Sequence, residues 1–411
     1  MKIIGFLLSL FVIMTHGHDA FGKCFSRNAS VEPISLNGLR GIPAEKEFLR
    51  HIKKSELQRR LPVRLGRARN GVDLFRVEYT SIDIKGQPVL VSGLMMVPDD
   101  CSDDQPVIVL QHGTIVEDMM APSVTAREGL AEAALGFLVL VPDYLGFGSS
   151  KDYLHPYVIA QPYQQNGIDM IRAGKRLMKQ EDIEPGALFV QGYSEGGYAA
   201  MALQKAITKL GDEDIKLTAA SYGAGPYDLL ATGYNLVKAE ETNPLYLTYV
   251  LVSYAEYFDD LPSLKAMLIN PKEWQLPDAF DGTQSYDEII GRMPTAVDKL
   301  VTPNFRSGFI RRIEELYKGN TVKLEPFENY LIANSVHIGW VPQVPTRLVH
   351  CVDDKVVPVA SGDRAYEALS AVSDLVSYER IESIPGRKPY THTTCPGYFS
   401  PVRWFMNMLE K

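Results

Sequence analysis

The hydrophobic positions of the chain recur in two patterns that alternate from about residue 72 to the carboxyl terminus. Unbroken apolar runs such as Val107–Leu110 and Phe137–Val141 are typical of strands buried on both faces of a parallel sheet. Segments with helical periodicity, near residues 124–135 and 160–180, lie between such runs. The alternation predicts an α/β fold with a mostly parallel central sheet and helices on both faces.

One long stretch interrupts this alternation. Residues 226–342 contain helical pieces and proline-bearing breaks, and the pattern therefore predicts a large insertion after the sixth strand of the sheet. The predicted domains are a signal peptide at 1–22, a first core part at 23–225, a helical lid or cap at 226–342, and a second core part at 343–411. The other predicted strands are Val72–Ile84, Val89–Val97, Gly186–Gln191, Leu217–Tyr222, Thr346–Cys351 and Leu375–Ile381.

The amino terminus resembles a secretory signal. A positive start at Met1-Lys2 precedes the apolar stretch Ile3–Met14, and Ala20-Phe21-Gly22 offers a cleavage site, with Gly17 as an alternative. The apolar stretch is too short for a comfortable membrane span. We therefore expect a protein exported by a cleaved signal peptide, secreted or periplasmic, although an uncleaved anchor stays open.

Charge and cysteine content narrow the possible partners. The 411 residues carry a formal net charge of −8, which argues against nucleic acid or an anionic membrane as an electrostatic partner. Four cysteines in an exported chain allow two disulfides, and we favour the pairing of Cys24 with Cys101 and of Cys351 with Cys395 among three possible connectivities. None of the cysteine spacings suits a zinc site, so no metal is expected.

The pentapeptide Gly192-Tyr193-Ser194-Glu195-Gly196 lies between a predicted strand and a predicted helix that continues to about Leu210. A serine on such a strand-to-helix turn exposes its hydroxyl group, and the N–H of the next residue can stabilise an oxyanion. Ser194 is therefore the candidate nucleophile and Glu195 a candidate oxyanion donor.

The second oxyanion donor is expected in the loop after another buried strand. Gln111-His112-Gly113-Thr114 follows Val107–Leu110, and Gly113 permits a close backbone approach. Thr114 is the candidate donor, whereas an ordinary turn at the strand end is the alternative.

The candidate acid follows the buried strand Thr346–Cys351, where α/β folds place active residues. Asp354 stands four residues before Pro358, the spacing of the acid in hydrolases with a D-x-x-V-P segment. Asp353 is the competing candidate, and an N-cap for the following helix at 359–372 is the structural alternative.

Eight histidines compete for the role of base. His392 is the candidate because it follows Asp354 by 38 residues, after the last predicted strand and before a helix predicted from about Pro401. The resulting chain order, Ser then Asp then His, is that of α/β hydrolases.

Taken together, these segments resemble the α/β-hydrolase superfamily and, within it, the secretory lipase group of fungi and their bacterial relatives. The resemblance implies hydrolysis of carboxylic esters by a Ser-His-Asp triad, with a helical lid over an acyl pocket and no cofactor. The expected partner is a small-molecule or lipid ester. A serine peptidase or amidase on the same fold and a non-catalytic binding protein stay open, as do the natural substrate and the oligomeric state. The resembling segments are His112–Thr114, Ala121–Ser123, Pro142–Gly148, Ile168–Ala173, Gly192–Gly197, Gly225–Leu229 and Asp354–Pro358.

Overall fold

The computed structural model describes residues 24–27 and 44–410, so the predicted signal peptide at 1–22 lies outside the described residues. Nine strands form one sheet in the order β1-β2-β3-β5-β4-β6-β7-β8-β9. Their bounds are β1 Ala44–Ile52, β2 Val72–Ile82, β3 Pro88–Pro98, β4 Asp104–Gln111, β5 Leu138–Pro142, β6 Glu184–Tyr193, β7 Leu217–Gly223, β8 Thr346–Cys351 and β9 Val376–Ile381.

The sheet is antiparallel at one end and parallel through the rest. Strands β1, β2, β3 and β5 pair antiparallel in that order, whereas β5, β4, β6, β7, β8 and β9 pair parallel. In the parallel part, Ile108 of β4 stands opposite Val139 of β5 and Phe189 of β6. The predicted α/β-hydrolase fold class is confirmed by this sheet and its helices.

Helices cover both faces of the sheet. Val107 and Val109 of β4 join a hydrophobic cluster with α4 and α5, while Ile108 and Leu110 join a second cluster with α1, α3 and α14. Among the described residues, none of the helices combines the length and apolar character needed to cross a bilayer. The helices are α1 Lys54–Arg60, α2 Pro122–Thr125, α3 Leu130–Ala134, α4 Ala160–Gln180, α5 Glu195–Leu210, α6 Leu229–Lys238, α7 Pro244–Tyr257, α8 Leu264–Met267, α9 Tyr286–Ile290, α10 Val297–Leu300, α11 Pro303–Tyr317, α12 Pro326–Asn334, α13 Val359–Ser370 and α14 Val402–Leu409.

Two elements differ from the sequence prediction. Strand β1 was not predicted, because it is an edge strand in which four of the nine residues are charged. The helical segment therefore follows the seventh strand and not the sixth. The predicted helix at 124–135 is two short helices, α2 and α3. The break occurs because Ala126 and Gly129 have left-handed backbone, with φ values of 50° and 91°.

The segment between β7 and β8 is built from helices α6–α12 and packs against the core through aromatic rings. Tyr249 of α7 stacks between Tyr157, at a centroid distance of 4.5 Å, and Phe280, at 4.2 Å. Tyr254, also on α7, donates a hydrogen bond to the carbonyl of Val158. The loop that follows β5 in the core is therefore a docking point for these helices.

Two disulfides join segments that are distant in sequence, Cys24 with Cys101 and Cys351 with Cys395. The favoured pairing is confirmed. Cys351 ends β8, three residues before Asp354, and Cys395 follows His392 by three residues. The second disulfide therefore ties the loop of the candidate acid to the loop of the candidate base.

We predict that the double variant Cys351→Ala/Cys395→Ala loses about 2–4 kcal/mol of unfolding free energy, because the link no longer restricts the unfolded chain. It should also lose kcat, since two loops of the candidate site become independent. Urea unfolding and ester kinetics measure both effects, and Cys24→Ala/Cys101→Ala is the control that keeps kcat. Free alkylation of Cys351 and Cys395 in unreduced native protein would show that the link is absent.

Candidate active site

Ser194 occupies a sharp turn between β6 and α5. Its backbone is left-handed, with φ 62° and ψ −128°, and its N–H donates to the carbonyl of Gly223 over 2.8 Å. Only glycine fits beside it, because a Cβ on Gly192 would lie 2.0 Å from the carbonyl oxygen of Gly196, and one on Gly196 2.1 Å from that of Gln111. This crowding holds the turn in a conformation that presents the serine hydroxyl.

The structure brings the three residues expected to act as nucleophile, base and acid into hydrogen-bonding contact. Nε2 of His392 lies 2.7 Å from Oγ of Ser194, and its Nδ1 lies 2.5 Å from Oδ2 of Asp354. All three residues are buried, with exposed fractions of 9% or less. An Nδ1–H that donates to the carboxylate leaves Nε2 free to accept the serine proton.

The carboxylate is held by its own turn. Oδ1 of Asp354 accepts hydrogen bonds from the N–H groups of Val356 and Val357, both at 2.9 Å. His350 on β8 donates from Nε2 to the carbonyl of Val357 over 2.9 Å, and burial lowers the pKa of His350, which keeps that ring neutral. Asp353, the competing candidate, makes none of these hydrogen bonds. Sequence reasoning missed His350 because its role depends on a contact across the turn.

The backbone of the base loop is held by Tyr193, the residue before the nucleophile. Its hydroxyl group donates to the carbonyl of His392 over 2.8 Å, and its ring centroid lies 5.3 Å from that of the imidazole. Burial raises the pKa of Tyr193, with Asp354 contributing, so the phenol stays protonated and able to donate. The sequence motif contains Tyr193, but nothing in it reveals this partner 199 residues away.

The two predicted oxyanion donors belong to neighbouring strand ends. Glu195 is the first residue of α5, so its N–H has no acceptor within the helix. The loop carrying Thr114 passes beside the strand-to-helix turn at Ser194, the elbow, since Gln111 of β4 stands opposite Gly192 of β6. Oγ1 of Thr114 lies 3.1 Å from the hydroxyl of Tyr157, which holds the Thr114 side chain against the docking loop of the helical segment.

The side chain of Glu195 is buried in a polar cluster that the sequence motif did not predict. Its Oε1 accepts from the hydroxyl of Tyr163 over 2.9 Å and lies 3.0 Å from Nε2 of His155, while Oε2 has no hydrogen-bond partner. Nδ1 of His155 donates to the carbonyl of Leu145 over 2.7 Å, and Nε2 of His155 also lies 2.9 Å from the hydroxyl of Tyr163. The cluster anchors the first turn of α5 to the loop after β5.

An apolar cleft opens beside Ser194, between the core and the helical segment. Among the described residues that line it, Glu195 is the one with a carboxyl group. The core contributes Tyr157, Val158, Ser194, Glu195, Val356 and Val357. Residues 226–342 contribute Pro226, Leu229, Thr232, Gly233, Leu236, Val237, Tyr246, Leu247, Val250, Phe309, Phe327 and Leu331. Such a lining suits a hydrocarbon chain.

One group of described residues has the spacing of metal ligands. Atoms of His51, Asp73 and Asp99 lie within 4.8 Å of one another. Arg27, however, binds both carboxylate oxygens of Asp73, at 2.6 and 2.8 Å, so that carboxylate already has a cationic partner. The group is separate from the cleft and shares no residue with it.

Solved structures share this fold. A Legionella pneumophila protein assigned as a hydrolase is 23% identical, with coverage of 89% of this chain and 98% of that one and a TM-score of 0.79. The rice cell wall degrading esterase LipA of Xanthomonas oryzae is 22% identical, with coverage of 90% and 95% and a TM-score of 0.73. Candida antarctica lipase A is 17% identical, with coverage of 88% and 80% and a TM-score of 0.58.

A search of curated protein sequences finds no match. A family model described as Secretory lipase matches residues 130–383, a span that contains Ser194 and Asp354 and ends before His392. Because this match covers more than half of the chain, the chain belongs to the secretory lipase family and is a carboxylic ester hydrolase.

Proposed function

We propose that the protein hydrolyses esters through a Ser194–His392–Asp354 triad and an acyl-enzyme intermediate. The observation that carries the proposal is the continuous contact from Oγ of Ser194 to Nε2 of His392 and from Nδ1 of His392 to Oδ2 of Asp354. Asp354 holds the imidazole in one tautomer and stabilises its charged form after it takes the serine proton.

The reaction then takes two steps. Oγ of Ser194 attacks the ester carbonyl as His392 takes its proton, and the N–H groups of Glu195 and Thr114 stabilise the oxyanion. His392 protonates the departing alcohol, which leaves the acyl group on Ser194. His392 then takes a proton from water, which attacks the acyl carbon of this acyl-enzyme. The bond from that carbon to Oγ of Ser194 breaks, His392 returns its proton to Oγ, and the acid is released. No step needs a metal or an organic cofactor.

We infer that residues 226–342 form a lid that supplies most of an acyl-binding cleft. The apolar side chains that they contribute beside Ser194 support this role. Burial of each methylene of an acyl chain contributes up to about 0.8 kcal/mol, so an apolar cleft favours longer acyl groups. A peptidase would need a partner for a charged substrate amino terminus. Of the described residues that line the cleft, only Glu195 carries a carboxyl group, and it already contacts His155 and Tyr163.

We also propose that the protein is exported by a cleaved signal peptide at 1–22, to the periplasm or the exterior. Membership of the secretory lipase family and the two disulfides support export, since disulfides persist in oxidising compartments.

Substitution of the two adjacent aspartates tests the triad. Asp354→Asn should lower kcat by roughly 10³–10⁴, because the imidazole loses the acceptor that fixes its tautomer. Asp353→Asn is the matched control, with the same chemical change one residue away, and should retain kcat. The kinetics of p-nitrophenyl ester hydrolysis measure both variants. If Asp353→Asn lowered kcat and Asp354→Asn retained it, the acid would be Asp353.

Blocking the cleft tests the acyl-binding role of the lid. In the unmodified enzyme, kcat/KM should rise from the acetate to medium-chain p-nitrophenyl esters. The expected increase is roughly severalfold for every few methylenes that are added to the acyl chain. A Cβ on Gly233 would have ordinary contacts with Leu331 and Phe309, at 3.5 and 3.6 Å, so the ring of Gly233→Phe should enter the cleft. The variant should keep its activity on the acetate ester and lose the increase in kcat/KM with longer acyl chains.

Asn235→Phe, on the exposed side of the same helix α6, is the control for this variant and should keep the profile of the unmodified enzyme. Equal losses on acetate and on longer esters in Gly233→Phe would contradict acyl binding in the cleft. A steady decline from acetate upward in the unmodified enzyme, with efficient cleavage of aminoacyl-nitroanilides, would instead favour the peptidase alternative.

A further inference from the structure

The net charge of −8 argues against an anionic partner for the chain as a whole, but the charge is unevenly distributed and one segment is strongly basic. Residues 53–69 contain seven Lys or Arg and a single acidic residue, Glu56, a formal charge of +6. The rest of the chain therefore carries −14. The segment runs from the end of β1 through α1 and a 3₁₀ turn at Val63–Leu65 to the start of β2. We call it the basic segment.

Its cations are exposed, and most of them have no ion-pair partner among the described residues. All seven are exposed; they are Lys53, Lys54, Arg59, Arg60, Arg64, Arg67 and Arg69. Within the described ranges 24–27 and 44–410, only Arg60 of this set has a carboxylate within 4 Å, that of Glu56. The acidic residues just beyond the segment, Asp73 and Asp99, interact with Arg27 and His51 instead. A set of unpaired, exposed cations of this density attracts polyanions.

The basic segment also exposes an apolar side chain at its tip. Val63, in the 3₁₀ turn, is 95% exposed, with Arg64 beside it. Lys54, Arg67 and Arg69 line a surface hollow together with Met406 of α14. Exposed basic residues and an exposed apolar side chain in one short segment match the two components of an anionic membrane surface, its headgroups and its acyl boundary.

The basic segment reaches the loop of the proposed base. Nη1 of Arg64 lies 4.0 Å from the position that a Cβ on Gly397 would take, and Gly397 follows His392 by five residues. A surface bound by the basic segment would therefore lie beside the loop that carries the proposed base, His392.

We propose that the basic segment docks the enzyme on lipid surfaces that carry anionic headgroups. The cations contact the headgroup phosphates and Val63 enters the acyl boundary. This docking surface is separate from the ester-hydrolysing site. The docking proposal therefore does not depend on which residue is the nucleophile. Docking determines where the enzyme is located and does not change the chemistry of ester hydrolysis.

Vesicle partitioning tests the proposal. The full exported chain should bind vesicles of equal parts phosphatidylglycerol and phosphatidylcholine, bind phosphatidylcholine alone weakly, and dissociate as salt is raised. In the triple variant Lys54→Gln/Arg59→Gln/Arg67→Gln, each lost cation should weaken binding about fivefold, and the three together about a hundredfold. Hydrolysis of a soluble p-nitrophenyl ester should be unchanged in this variant, which shows that it folds.

The control variant is Lys85→Gln/Lys179→Gln/Lys209→Gln. It changes the net charge by the same amount, at exposed lysines outside the basic segment, of which Lys179 lies on α4 and Lys209 on α5. It should bind anionic vesicles as tightly as the unmodified enzyme. Val63→Ser separates lipid from other polyanions: it should weaken vesicle binding, keep its salt dependence, and leave any binding to polygalacturonate unchanged. Equal weakening by both triple variants would overturn the proposal. The proposal would also be overturned if Val63→Ser left vesicle binding unchanged and the enzyme bound polygalacturonate as tightly as it binds vesicles. That result would indicate an acidic polysaccharide as the partner.

Discussion

The left-handed backbone of Ser194 is the constraint on which the rest of the site depends. A side chain at φ 62° is costly for a residue other than glycine, so neighbouring atoms must hold it there. The flanking glycines do so by allowing β6, α5 and the loop after β4 to approach so closely that a Cβ would overlap backbone atoms. The same approach sets the N–H of Glu195 at the start of α5 and brings the Thr114 loop alongside. The positions of the proposed nucleophile and oxyanion donors are thus consequences of one strained turn.

The other half of the site is positioned by contacts between chain segments that are far apart in sequence. Hydrogen bonds within the turn hold the carboxylate of Asp354, Tyr193 holds the backbone of His392, and the Cys351–Cys395 disulfide joins the two loops. Beneath the elbow, the buried carboxylate of Glu195 shares its hydrogen bonds with Tyr163 and His155. A buried carboxylate is tolerated only when it is paired in this way. Polar pairing in the core therefore helps to hold the proposed catalytic residues at its edge.

Much of this could be predicted from the sequence because the relevant signals are local. Strands buried on both faces appear as unbroken apolar runs, and the strand predicted at Thr346–Cys351 has those bounds in the structure. The order of the elbow serine, the acid and the last histidine suffices to select three residues that the structure brings into contact. Strand β1 was not predicted because only one of its sides is buried, and the buried side includes Lys46, which forms an ion pair with Glu181. The roles of His350, Tyr193 and the Glu195 side chain rest on tertiary contacts, which no local pattern encodes.

The identity of the nucleophile is tested most directly by covalent labelling with a medium-chain p-nitrophenyl alkylphosphonate. The proposed mechanism predicts release of one equivalent of p-nitrophenol and loss of activity, with the phosphonate found by mass spectrometry on the peptide that contains Ser194. His392→Ala should react far more slowly, because the serine then lacks its base. A label on another residue, or full inactivation without a label on Ser194, would contradict the proposed triad.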